Sequence, residues 1–397
     1  MDPDKCPWLD LRRYTFSMAA EQAGIVFLSG QTAAAYYHDE AKVLCKGDLV
    51  EQTNLIYEKL AVVLEAAGLG FQHVVQTVDY VDPVALPQYR QTAEVRRKYF
   101  GDSPVASTGI CVERLLRPDA LIEISAVAMR EEKRRIDPSP QQDSGLTFAP
   151  GVEAGGIVWV SGVIGREERD GRAHYPQNSG DQAALAYAAI GPVLQAAGAR
   201  ASDVVKNLDY ISPLAVLGYG DAAQARRGFY DGSSPACDCV VVNRLLRPEG
   251  HLEVETVAVK GGSRQDVRLS RWTVREDEPG GLMDSPAAAI KGRLLYISGQ
   301  EAINHATGAT VGGFDVAAQA EQAYSNISRV LAEAGYSMAD VVNTIEWVAP
   351  NGLMGYRGVQ EVRRKYFGEG FPAATGIVAH RMLRPELLIH VSAMAVV

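Results

Sequence analysis

The stretch IVFLSGQ at residues 25–31 returns as IVWVSGV at 157–163 and as LLYISGQ at 294–300. Each is a short apolar run that ends in Ser-Gly, the pattern of a buried strand stopped by a turn residue. The context repeats as well. LAVVLEAAGLGFQHVVQTVDYV (60–81) matches PVLQAAGARASDVVKNLDYI (192–211) and RVLAEAGYSMADVVNTIEWV (329–348). EVRRKYFG (94–101) matches QARRGFYDG (224–232) and EVRRKYFG (361–368). LIEISAVAM (121–129) matches HLEVETVAV (251–259) and LIHVSAMAV (388–396). A period of roughly 130 residues is far too long for a solenoid unit, so each copy reads as a domain. The spans are 1–131, 145–262 and 280–397, joined by the polar stretches 131–145 and 261–281.

Within copy 1, residues 50–67 place apolar side chains at helical spacing and stop at a glycine. VVQTVDYV is β-rich and closed by Asp-Pro. PQYRQTAEVRRKYFG reads as a second amphipathic helix with a glycine stop. STGICVERLL and LIEISAVAM read as two strands joined across an Arg-Pro turn and paired as a hairpin. The order is strand, helix, strand, helix, strand, strand, preceded by a hairpin. This is an α+β class, with helices on one face of a mixed sheet.

The composition excludes several functions. The chain has 397 residues and a net charge of -9, whereas phosphate backbones call for a basic surface, so no nucleic-acid partner is expected. No apolar run approaches ~20 residues, so no membrane partner is expected either. The N-terminus opens with acids and lacks an apolar core, so it does not read as a signal peptide. Five cysteines, irregularly spaced, suit a reduced cytoplasm better than a disulfide framework. No CxxC or HExxH string points to a metal, and no cofactor is expected.

The SGQ motif, the LEAAG helix end, the YF.G helix end and the closing IEI.AVA strand resemble the RidA (YjgF/YER057c/UK114) family, in every copy and over nearly all of it. The resemblance implies three RidA-like, chorismate mutase-like domains arranged as an intramolecular pseudo-trimer. With the ring closed inside one chain, a monomer with internal pseudo-threefold symmetry is expected. It also implies small-molecule clefts between neighbouring copies and hydrolysis of enamines or imines. In the family, a strand arginine clamps the substrate carboxylate. Aligned through the Arg-Pro turn and the YF helix end, its position falls at Gly109, Cys239 and Gly376, so no copy keeps it. The family's last-strand glutamate falls at Glu123, Glu253 and His390, and its first-strand serine at Ser29, Ser161 and Ser298. A family tyrosine falls near Phe16, Phe148 and Ser285, without its hydroxyl.

The residues themselves give a parallel reading. Side chains alternate along a strand. If the last two strands pair, copy 1 offers Cys111, Glu113 and Glu123 to its cleft. Copy 2 offers Cys239, Asn243, Glu253 and Glu255, and copy 3 offers His380 and His390. The residue before each RLLRP or RMLRP (Glu113, Asn243, His380) then diversifies three pockets. Glu123 and Glu253 are candidates for acid–base work, because an apolar setting raises a carboxyl pKa; the alternative is a carboxylate that holds a loop. His390 and His380 are candidates for proton transfer, or else packed histidines with satisfied nitrogens. Cys111 is a possible nucleophile, but buried cysteine more often acts as a small hydrophobe. Cys239 is a pocket-lining candidate. Asp79, Asp209 and Glu346 share one strand position, and acid–arginine pairs with Arg114, Arg244 and Arg381 near the pseudo-threefold axis are expected. The run Arg96–Arg97–Lys98, repeated at 363–365, is expected on a solvated helix face.

Two functions from different classes follow. One is a small-molecule enzyme of acid–base type, a deaminase, hydrolase, cyclase or dehydratase acting on an imine, enamine or carbonyl compound. The other is a non-catalytic ligand sensor or protein-binding module.

Overall fold

The computed structural model describes residues 8–139, 146–269 and 285–397. In copy 1 a short strand, Ala19–Gln22, turns into the first long strand, Ile25–Thr32. Helix α1 (Leu49–Ala66) follows, then the second strand, Val74–Val81. Helix α2 (Thr92–Phe100), the third strand (Ala106–Cys111) and the last strand (Ile122–Met129) complete the unit. Copies 2 and 3 repeat this with α3 (Ser179–Ala196), α4 (Tyr219–Phe229), α5 (Val316–Glu333) and α6 (Val359–Phe367). The expected element order holds in each copy. Helix α1 is fixed at its start by Asp48, whose carboxylate accepts from the Glu51 N–H while Glu51 returns a bond to the Asp48 N–H. That reciprocal pair satisfies two donors the first helical turn leaves open. The stretch before α2 forms a 3-10 turn, Leu86–Gln91, so the helix is shorter than the sequence pattern suggests.

The strand pairing departs from the expected hairpin. The second strand lies between the last strand and the third strand. It runs antiparallel to the former and parallel to the latter. Cys111 and Glu113 are therefore not beside Glu123. The parallel pairing is possible because α2 supplies the crossover that parallel neighbours need. The linker regions are not wholly irregular. Lys133–Ile136 extends the sheet of copy 2, and Gln265–Val267 extends that of copy 3. Residues 140–145 and 270–284 of the expected linkers lie outside the described residues.

One sheet face in each copy packs on its own helices, giving three separate cores. The opposite faces pack on one another. Phe27, Trp159 and Tyr296, one from each first strand, share one apolar cluster. Tyr80, Tyr210 and Trp347, one from each second strand, share another. A copy alone would leave these large side chains in water, at a cost of about 1.5–3 kcal/mol each. No described helix is long and apolar enough to cross a membrane.

The repeated RLLRP carries the ring. Arg114–Leu115 pairs with Val378 and Ile377 of copy 3. Arg244–Leu245 pairs with Cys111 and Ile110 of copy 1. Arg381 bridges to Val241 of copy 2. Each copy thus adds a strand fragment to one neighbour, and the three exchanges close a circle. The residue before each motif lies on the axis of that circle. Glu113 accepts from Asn243 at 2.9 Å and meets His380 Nδ1 at 2.7 Å. The three variable residues therefore form one cluster and do not diversify three pockets.

The strand acids also differ from expectation. Asp79, Asp209 and Glu346 point to the helix side, away from the axis. Their partners are the helix arginines Arg96, Arg226 and Arg363, at 3.3, 2.7 and 2.6 Å, not the turn arginines. Tyr89, Tyr219 and Tyr356 each donate a further bond to the acid. A carboxylate inside a strand has to be paired, and the first arginine of each helix run turns inward to do it. Arg97 and Lys98 stay exposed.

Candidate functional site

Ser-Gly of the repeated motif sits in a β-bulge. The register jumps between Leu28 and Gln31, between Val160 and Val163, and between Ile297 and Gln300. A bulge releases residues from the ladder and re-aims them. Each released serine joins two copies. Ser29 donates to the carbonyl of Ser17 and accepts the Ala374 N–H at 2.8 Å. Ser161 donates to Ala149 and accepts the Ser107 N–H at 2.8 Å. Ser298 donates to Pro286 and accepts the Cys237 N–H at 3.0 Å. All three hydroxyls are buried and engaged in holding neighbouring copies together.

Each released glycine lets the last-strand residue reach the neighbour. A Cβ on Gly30 would lie 2.2 Å from Glu123 Oε1 and 2.9 Å from Thr375 Cγ2. On Gly162 it would lie 2.0 Å from Glu253 Oε1 and 2.9 Å from Thr108 Cγ2. On Gly299 it would meet His390 and Asp238. The side chains that point across the three clefts are therefore Thr375, Thr108 and Asp238. These lie one residue before Gly376, Gly109 and Cys239, where the alignment placed the arginine position. Gly109 and Gly376 instead abut Tyr89 and Tyr356 on the helix side, and Cys239 is buried in the core of copy 2. In neither register does an arginine occupy the position.

The three clefts differ in electrostatics. Glu123 is pushed up to about 8 by burial, which Arg117 offsets only in part. Glu253 is also pushed up to about 8, by burial and then by the neighbouring Glu255. Glu255 itself is held by Lys206 at 2.6 Å and by the Thr108 hydroxyl at 2.8 Å. At neutral pH both Glu123 and Glu253 hold a proton. His390 is the opposite case. Burial works against its charge, but contact with Asp238 and with Glu301 (3.2 Å) raises it to about 10. Ser392 also donates to Asp238, whose carboxyl is held below its usual range despite burial. The third cleft is thus bridged by a fixed ion pair.

Between copies 1 and 3 the cleft opens into a cavity of about 580 Å³. Glu123 lies in its wall with Thr375 and Gly376 of the neighbour. Phe16 lines it too. Phe148, its counterpart, is half-buried. Cys111 is buried on the helix side of its sheet, and burial raises its thiol pKa, which suits packing better than nucleophilic attack. His380, Glu113 and Asn243 engage each other on the axis, and His390 shares no partner with them.

The family model described as Endoribonuclease L-PSP matches residues 11–130, 142–260 and 285–397. The chain belongs to the endoribonuclease L-PSP (RidA/YjgF) family. Single-copy relatives align with about a third of it or less. A RutC family protein of Pyrococcus abyssi is 33% identical over 116 residues, covering 29% of this chain and 87% of the relative. The human 2-iminobutanoate/2-iminopropanoate deaminase is 34% identical over 95 residues, covering 24% of this chain and 67% of the relative. A chorismatase structure is similar over 82% of this chain and 93% of its own, at a TM-score of 0.52 and 16% identity. That likeness concerns the fold across all three copies.

Several residues of this RidA-family site carry no separate signal in the sequence. Asp238 is an acid inside the apolar strand ACDCVV, overshadowed there by its flanking cysteines. Lys59 is buried under the cleft, donating to the carbonyls of Thr32 and Ala34 at 2.8 and 2.5 Å. Burial lowers its ammonium to about 8. In copy 3, Asn326 donates to the carbonyls of Glu301 and Ile303 in the same way.

Proposed function

We propose that the cleft between copies 1 and 3 is the active site of a small-molecule enzyme, with Glu123 as its acid–base group. The observation that carries this reading is a buried carboxyl in the wall of a cavity of about 580 Å³, where burial pushes it up to about 8. A group whose pKa lies near working pH can both give and take a proton. In imine hydrolysis, Glu123 gives its proton to the imine nitrogen as water adds to the carbon. The carboxylate relays one proton of the added water to that nitrogen, then takes the remaining hydroxyl proton as the amine leaves. The balance is imine plus water to carbonyl plus amine, with Glu123 restored. The same giving and taking of a proton at one carboxyl serves dehydration or cyclisation of a carbonyl compound. Relatives named as imine deaminases fit this class.

The test is ammonia release from imines generated in situ by an amino-acid oxidase, over a panel of side chains, with Glu123→Gln in parallel. Acceleration that the variant loses supports the reading. A wild-type chain that accelerates nothing, or a variant as fast as wild type, overturns the imine form of it. A second reading, a ligand sensor without turnover, is favoured by the ion pair that bridges the third cleft. It predicts ligand binding and no turnover to lose.

A further inference from the structure

We propose that the molecule bound in the copy 1–copy 3 cleft is a dianion with a ring-sized apolar body, larger than a short-chain 2-imino acid. This deepens the site assigned above and rests on it.

Size is the first argument. A cavity of about 580 Å³ falls in the range of roughly 300–1,000 Å³ that encloses drug-sized ligands. A short-chain imino acid leaves most of it filled with water.

The second argument is the wall. Trp8, Tyr14 and Phe16 of copy 1 face Leu353, Met354 and Tyr356 of copy 3 across the cavity. Tyr14 and Phe16 are in ring contact, with centroids 5.4 Å apart. Met354 is 97% exposed at the rim. Such an aromatic and apolar surface gains from covering by an apolar body and nothing from a small hydrophilic solute.

Charge is the third. Five cations line the cavity in a chain of net charge -9. Two are committed. Arg363 is paired with Glu346, and Lys59 donates to backbone carbonyls. Arg114, Arg117 and Arg357 enter no ion pair among the described residues. Arg117 reaches the Tyr14 hydroxyl at 3.4 Å and acts on the Glu123 carboxyl. Guanidinium groups suit planar oxyanions through paired donors. One carboxylate at Arg117 places the reacting carbon beside Glu123. Arg357, on the opposite wall, meets the second anionic group. These arginines come from the turn and the helix entry, so the missing strand arginine is replaced from other elements.

The test is equilibrium binding to the full chain by titration calorimetry, with isophthalate, benzoate, succinate and pyruvate as probes, at low and moderate salt. Isophthalate should bind about tenfold or more tighter than each of the others, and salt should weaken it. Arg117→Gln and Arg357→Gln should each weaken isophthalate by about tenfold. Succinate or pyruvate binding as tightly as isophthalate overturns the proposal, as does an absence of isophthalate binding or indifference to Arg357→Gln. Because binding is read without turnover, failure of the imine assay and failure of this proposal are separate results.

Discussion

Replacing Glu123 by Gln should stabilise the protein while removing its chemistry, and the gain should depend on pH. Burial raises the Glu123 carboxyl from an ordinary 4.5 to about 8. Below 4.5 both folded and unfolded chains hold the proton, and the group contributes nothing. As pH rises from 4.5 to 8 the unfolded chain releases it and the folded chain does not, so stability falls. Each pH unit in that window costs roughly 1.4 kcal/mol. The full loss is on the order of 5 kcal/mol by pH 8, and about 3 kcal/mol at pH 7. Glutamine keeps the shape and cannot ionise, so Glu123→Gln lacks this slope. Urea unfolding of both proteins at pH 5, 6, 7 and 8 reads the difference directly. The curves should lie close at pH 5 and separate in favour of the variant as pH rises. A gap that stays constant from pH 5 to 8 would refute a protonated Glu123, and with it the acid–base role.

Removing one member of the His390–Asp238 pair should cost about 3–5 kcal/mol, since the other charge is left buried; the double variant should recover part of that in chemical unfolding. His390 is raised from 6.5 to about 10, so its stabilisation is complete below pH 6.5 and is lost as pH rises through 10. His390→Ala should lack that alkaline decline. Lys59→Ala should cost about 1–3 kcal/mol by leaving two carbonyls unpaired, whereas Lys59→Asn should cost less, because Asn326 already makes these bonds in copy 3. Ser161→Ala should strand the Ser107 N–H between copies and cost about 1–3 kcal/mol, measured by thermal unfolding.

The fold was legible because three repeats of one apolar pattern constrain each other. Element order follows from periodicity, and glycine stops mark the helix ends. Strand order does not follow. LIEISAVAM reads equally well beside STGICV or beside VVQTVDYV, and only the crossover through α2 decides. That one ambiguity misplaced the partners of Cys111, Glu113, Asn243 and His380. Glu123, Glu253 and His390 could be found because the family pattern marks them. Arg117 could not, since the two arginines of RLLRP and RMLRP recur in all copies and look like scaffold, while the second of them acts on the buried carboxyl in the first cleft and not in the second. Arg96 and Arg363 were hidden in a charge run, because sequence alone does not say which of three adjacent cations turns inward.

The third cleft shows how such a ring diverges. Its two changes are coupled: where the first cleft sets Glu123 against Thr375, the third sets His390 against Asp238. An aspartate opposite a buried glutamate would force two carboxyls together, which raises one of them strongly. A histidine in its place reverses the sign and turns repulsion into a brace. The exchange should therefore be reversible as a pair and not singly. Asp238→Thr with His390→Glu restores the residue types of the first cleft, with Gly299 still open above them. The double variant should lose the alkaline decline due to His390 and acquire a new fall in stability between about pH 4.5 and 8, as a second buried carboxyl resists ionisation. His390→Glu alone, facing Asp238, should be less stable than the double variant at neutral pH. If the single variant is the more stable of the two, the brace is not electrostatic, and the divergence of this cleft has another cause.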